Sequence, residues 1–147
     1  MVGCGSLRRL SVRLEGLNDM TKQLGDLPDR VQRRVLQQAV TAGLREAAKD
    51  IRRAAPRGQE PSNMSAQYGR LRRNIRVKRL KPRGKAERAA MIHTGDAFWG
   101  WMIEKGTRYI SAKPWFKPAF DAAQQRVVDA FSKRLGEGIE REAQKKP

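Results

Sequence analysis

The sequence predicts an α+β fold: a short N-terminal strand, a long amphipathic helix, a small antiparallel sheet and a C-terminal helix. Three patterns predict it. From Leu27 to Ala55, apolar residues recur at the helical period on Val31, Val35, Leu36, Ala39, Val40, Leu44, Ala47, Ala48, Ile51 and Ala55. Phe120, Ala123, Val127, Phe131, Leu135 and Ile139 repeat that period near the C-terminus. Between them lie short alternating runs bounded by turn residues. The 147 residues suit one domain with one core. That domain is expected over 11–143, after a flexible basic arm over 1–10 and before a frayed tail over 144–147.

The elements follow in order. Ser11 to Glu15 alternates, with Val12 and Leu14 on one face, and reads as a half-buried strand. Leu17, Met20 and Leu24 then predict a short helix before Gly25. In the long helix, Pro28 suits the first turn and Asp29 complements the positive end of the helix dipole. Its polar face carries Arg33, Arg34, Gln37, Arg45, Lys49, Arg52 and Arg53, with Glu46–Lys49 and Asp50–Arg53 as candidate ion pairs. Ala39, Gly43, Ala47 and Ala48 are small enough to admit another backbone, and Pro56 stops the helix. The polar run 57–67 reads as a mobile loop. Gly69 to Leu80 reads as a helical turn running into a strand, with Ile75, Val77 and Arg79 on one face. Pro82, Arg83 and Gly84 make a turn, and Glu87 to Ile92 returns. Phe98 to Glu104, rich in Trp and Phe, is expected as a third strand ended by Gly106. Tyr109 to Lys113 is a loop. Pro118 opens the last helix, which Gly136 and Gly138 weaken and which frays from Glu140.

Charge narrows the function. Lys and Arg number 32 against 15 Asp and Glu, for a formal net charge of +17. Such an excess favours an acidic partner: nucleic acid, an anionic membrane surface or an acidic protein face. The alternative is a solvated basic surface. Cys4 is the only cysteine and His93 the only histidine, which excludes a disulfide framework and disfavours an ordinary zinc site. No apolar run approaches the roughly 20 residues that span a bilayer, and Met1 to Leu10 lacks the apolar stretch of a signal peptide. A cytoplasmically made soluble protein is expected.

The densest constellation is basic. Arg70, Arg72, Arg73, Arg76, Lys78, Arg79, Lys81, Arg83 and Lys85 form a candidate face for DNA or an acidic partner, continued by Arg88, with Glu87 the only acid. A solvated hairpin is the plainer reading. No base-reading signature is present, so contact with nucleic acid would be nonspecific. Read as a strand, Phe98 to Glu104 puts Trp99 and Trp101 on one face, and Phe98, Gly100 and Met102 on the other. Trp99 and Trp101, with Arg33, Arg34 and Arg45 of the long helix, are candidate subunit-interface residues; Phe120 and Phe131 are assigned to the core. Catalytic chemistry is thin. His93, Thr94 and Asp96 are the only triad-like group, Glu15 and Glu104 stand alone, and Gly3 and Gly5 lack the context of a phosphate cradle. No enzyme, cofactor or small-molecule substrate is expected.

Four segments resemble the neck and tail-completion family of tailed bacteriophages, the gene-product-ten family of lambdoid coliphages. They are Ser11 to Leu17, the Ala- and Arg-rich helix from Leu27 to Pro56, Gly69 to Ile75, and Ile103 to Thr107 followed by Ala112 to Ala119. The third resembles the family's Gly-x-Leu-x-x-Ser-Ile segment, with Asn74 in place of Ser. The fourth resembles its Glu-x-Gly-Thr and Pro-x-x-Phe-x-x-Pro-Ala signature, here Glu104, Gly106, Thr107, Pro114, Phe116, Pro118 and Ala119. Gly69 and Leu71 complete the structural signature.

The resemblance implies a structural virion protein: a ring at the head–tail junction, six-fold by expectation, that completes the tail around the DNA conduit. The implied partners are copies of itself, other neck, tail-tube or terminator proteins, and packaged DNA by nonspecific contact, with no membrane. The location implied is the virion, after assembly in the host cytoplasm. The contrasting reading is a nonspecific basic nucleic-acid-binding module.

Overall fold

The computed structural model describes residues 18–57, 70–82 and 88–145. The expected arm, the strand over 11–15, most of the loop over 57–67, Gly69 and the turn at Arg83 to Lys85 lie outside the described residues. The described chain is α+β, dominated by helix. It runs α1 (Asn18–Gly25), α2 (Asp29–Ala54), α3 (Leu71–Asn74), β1 (Arg76–Arg79), β2 (Ala90–His93), α4 (Trp99–Lys105) and α5 (Phe116–Ala143).

The long helix α2 begins and ends where proline dictates. Pro28 is extended, and its carbonyl accepts from the N–H groups of Val31 and Gln32 at 2.8 and 3.0 Å. At the other end Pro56 pushes the preceding residue out of the helical region, and Ala55 sits at φ −57°, ψ 130°. Both expected ion pairs form, Lys49–Glu46 at 2.6 Å and Arg53–Asp50 at 3.5 Å.

The small-residue stripe of α2 receives α5, which runs antiparallel to it. A Cβ on Gly43 would lie 2.9 Å from the Val127 carbonyl oxygen, and one on Gly138 2.6 Å from Val35 Cγ1. Gly138 is therefore a seat for Val35, not a weak point. The helix does not fray at Glu140 but continues to Ala143, and it starts at Phe116, two residues before Pro118.

Two buried clusters lie along this helix pair. One joins Ala47, Ile51 and Ala55 to Leu71, Ile75, Trp99, Ile103, Trp115 and Ala123. The other joins Leu24 of α1 to Val35, Ala39, Leu135 and Ile139. Phe120 packs on the first and Phe131 on the second, each partly buried.

β1 and β2 form a two-stranded antiparallel sheet with Val77 opposite Ile92 and Lys78 opposite Met91. Residues directly opposite share a face. The Val77–Ile92 face turns inward, and Ile92 packs on the first cluster.

The third strand does not form; its residues are helix α4. Trp99, Gly100, Ile103 and Glu104 are buried together, a helical repeat of one, four and five. Phe98, Trp101, Met102 and Lys105 face outward. The run is rich in aromatics, which favours a strand locally, but the fit against neighbours reverses the choice. A Cβ on Gly100 would lie 2.5 Å from Leu71 Cδ1 and 3.3 Å from Trp115 Cζ2, so this turn of helix seats directly on both.

Candidate functional site

The first built site is a buried carboxylate. Glu104 projects from the last turn of α4 and is only 8% exposed. Its Oε2 accepts from the backbone N–H groups of Trp115 at 2.6 Å and Phe116 at 2.8 Å, and its Oε1 from Lys117 at 3.2 Å. These are the first N–H groups of α5, which have no partner inside the helix. The next residue, Pro118, has no N–H to satisfy. Glu104 and Pro118 thus settle every orphan donor of the 28-residue helix, and the carboxylate sits at its positive end. The charge is used to hold two elements together and is closed to substrate.

The rest of the signature holds the intervening loop. Gly106 takes φ +76°, which suits glycine, and its Cβ position would meet Ala112 N at 2.7 Å. Thr107 Oγ1 accepts from the N–H groups of Tyr109 and Ile110, both at 3.2 Å. Lys113 N–H donates to the Ile103 carbonyl at 2.8 Å, and Trp115 Nε1–H to that of Gly100 at 3.1 Å. Pro114 is exposed, Phe116 half-buried and Leu71 buried.

The second surface is cationic. Residues 70–82 hold seven Lys or Arg and no acid. Arg70, Arg73, Arg76, Lys78, Arg79 and Lys81 are exposed. Arg76 and Lys78 share the outward face of the sheet with Met91, while Arg79 lies on the opposite face at the strand's end. Arg72 is not free for a partner: its Nε–H donates to the Arg52 carbonyl at 2.6 Å and its Nη2 to that of Arg53 at 3.4 Å, covering the C-terminal end of α2. Arg52 itself donates twice to the Ile75 carbonyl, at 3.0 and 2.8 Å. Basicity alone did not separate these internal braces from outward cations. Arg83 and Lys85 lie outside the described residues.

The third surface is aromatic. Trp99 and Trp101, expected to share a face, are parted by the helical turn: Trp99 is 3% exposed and belongs to the core, whereas Trp101 is 54% exposed. Lys105 Nζ lies 5.4 Å from the Trp101 ring centroid. The loop leaving this helix exposes Tyr109 and Ile110, which loop composition alone does not mark as a surface feature. Elsewhere, Arg33 pairs with Asp29 at 3.2 Å and Arg34 with Glu142 at 3.6 Å, and Arg45 is exposed.

The triad-like group is a turn. His93 Nδ1 accepts from the Gly95 N–H at 3.0 Å, and Gly95 takes φ +56°. Among the described residues no group of three His, Cys, Asp or Glu is placed to hold a metal ion, and no helix is long and apolar enough to cross a membrane.

Fold and surface together define a small α+β protein, dominated by helix, with an internally locked frame and two outward faces, one cationic and one aromatic. The chain belongs to the family described as "Bacteriophage HK97-gp10, putative tail-component", whose model matches residues 18–106, and so to a family of bacteriophage tail components. The matched span holds α1 to α4, the hairpin, Glu104 and Gly106; α5 lies beyond it. No curated protein and no solved structure matches the chain.

Proposed function

We propose that the chain is a structural, non-enzymatic virion protein, forming a ring of its own copies at the head–tail junction that completes the tail and joins head to tail around the DNA conduit. The observation that carries the reading is the tail-component family match over the segment that includes the cationic hairpin. A net charge of +17 finds its neutralising partners in such a particle, in packaged DNA or in the acidic faces of neck, tail-tube or terminator proteins. The buried Glu104, a carboxylate held by three backbone donors, serves packing and fits a part that is built and left in place.

The test is particle composition and morphology. Mass spectrometry of purified virions is expected to find the chain, and phages lacking it are expected to yield heads and tails that fail to join. Intact particles formed without it would end the reading. The acid-free run 70–82 favours a second reading, a nonspecific nucleic-acid module. That reading requires tight duplex binding whose logarithmic salt slope approaches about −0.9 per phosphate contact. The ring reading expects weak duplex binding by the isolated chain.

A further inference from the structure

The faces at the two ends of the α2–α5 pair differ in kind. α4 and its loop sit at the C-terminal end of α2, and there Trp101, Met102, Tyr109 and Ile110 are exposed beside Lys105 and Arg108. Lys105 lies over the Trp101 ring and Arg108 within 5.9 Å of the Tyr109 ring centroid. At the other end, α1, the start of α2 and the end of α5 enclose a cleft of about 900 Å³. It is lined by apolar Leu27, Val31 and Ile139 and by three carboxylates, Asp26, Glu140 and Glu142, against one cation, Lys145. Glu142 is engaged by Lys145 at 3.0 Å and Arg34 at 3.6 Å, but no side chain among the described residues pairs with Asp26 or Glu140. The 26 residues of α2 separate the two faces by roughly 39 Å.

We infer that these two faces are the halves of one contact between copies of this chain: the aromatic face of α4 and its loop docks into the acidic cleft of the next copy. Trp101 is exposed and, among the described residues, meets only Lys105 over its ring, while an apolar cleft whose Asp26 and Glu140 pair with no described side chain is its complement in sign. Aromatic anchors entering a pocket carry most of the energy of protein contacts. Because the halves lie on different surfaces, the contact is heterologous. Repeated, it closes into a ring if the rotation closes and runs into a filament if it does not. Patch-to-patch pairing would instead bring Lys105 and Arg108 against their own copies. The inference rests on the ring-subunit reading and supplies its contact.

Two sets of surface changes on the full chain test it. Trp101→Ser with Arg108→Glu removes the patch; Asp26→Arg with Glu140→Arg removes the cleft's charge. Tyr109→Ser, at a residue 89% exposed, is a second patch variant with no role in the core. Circular dichroism checks that each folds, and light scattering at up to a few hundred micromolar reads mass. The wild type is expected to be multimeric, each variant monomeric, and the patch and cleft variants mixed one-to-one to form a heterodimer of twice the monomer mass. A monomeric wild type, variants that assemble as the wild type does, or a mixture that stays monomeric would each overturn the contact. A chain present in virions yet monomeric alone would remove this contact and leave the proposed function standing.

Discussion

The two ends of the α2–α5 pair are held by different physics. At the loop end, Ile51, Leu71 and Ile75 are fully buried, and a carboxylate locks α4 to the start of α5. At the terminal end, Leu24, Val35, Ala39, Leu135 and Ile139 pack as plain aliphatics beneath exposed ion pairs. The first arrangement is directional: donors and acceptor must meet within tenths of an ångström, so it specifies one geometry. The second is tolerant, since apolar contact has no direction and exposed pairs contribute little. The loop end is expected to be the rigid platform and the terminal end the softer one.

The sharpest way to break the comparison is at Glu104. Glu104→Ala strands three backbone donors and is expected to cost about 3 kcal/mol in urea unfolding, with Glu104→Gln costing less because an acceptor oxygen remains. A loss under about 1 kcal/mol would mean that water replaces the carboxylate and the loop end is not locked.

Next come the glycines of the terminal end. Gly138→Ala drives a methyl into Val35 Cγ1 at 2.6 Å and is expected to lose about 1–3 kcal/mol. Gly136→Ala, whose nearest neighbour is Met20 Cε at 3.7 Å, is expected to gain about 0.5–1 kcal/mol from helix propensity. If both changes stabilise, Val35 yields and this end is softer still.

Arg52→Met is expected to cost about 1 kcal/mol by freeing the Ile75 carbonyl, and hydrogen exchange is expected to rise in β1 ahead of α1.

The smallest effect is titration at the terminal end. The hydrogen bond from Lys145, helped by the nearby charges of Lys145, Arg34 and Arg141 and opposed by partial desolvation, holds the Glu142 carboxyl below its ordinary value. A depressed folded-state value means that the contribution is present above the ordinary carboxylate value and is lost as pH falls through the lowered folded-state value. Lys145→Met is expected to raise the Glu142 midpoint in an NMR titration. No movement would show that Lys145 is not the main cause.

Much of the architecture was legible in the residues. The two long helices follow from period and prolines, and the small-residue stripe of α2 announced a close neighbour that proved to be α5. The hairpin and the short α1 were also foreseen. The exceptions were the ends of α5, which starts before Pro118 and runs past Glu140, and Phe98 to Glu104, where aromatic content argued for a strand. Of the candidate site residues, Trp99 and Arg72 turned inward, and nothing in their residue types distinguished them from Trp101 and Arg73. The capping role of Glu104 had a trace in its spacing from Gly106 and Pro118, but its partners are eleven to thirteen residues away.

The sequence by itself determined the elements whose cause is local: where α2 starts and stops, which stripe of it is buried, and that the chain carries a large positive excess. Only the tertiary structure decided which tryptophan is core, which arginines brace carbonyls, and what Glu104 holds. Periodicity, proline geometry and charge are properties of neighbouring residues, whereas burial and hydrogen-bond partnership belong to pairs that the chain brings together only when it folds.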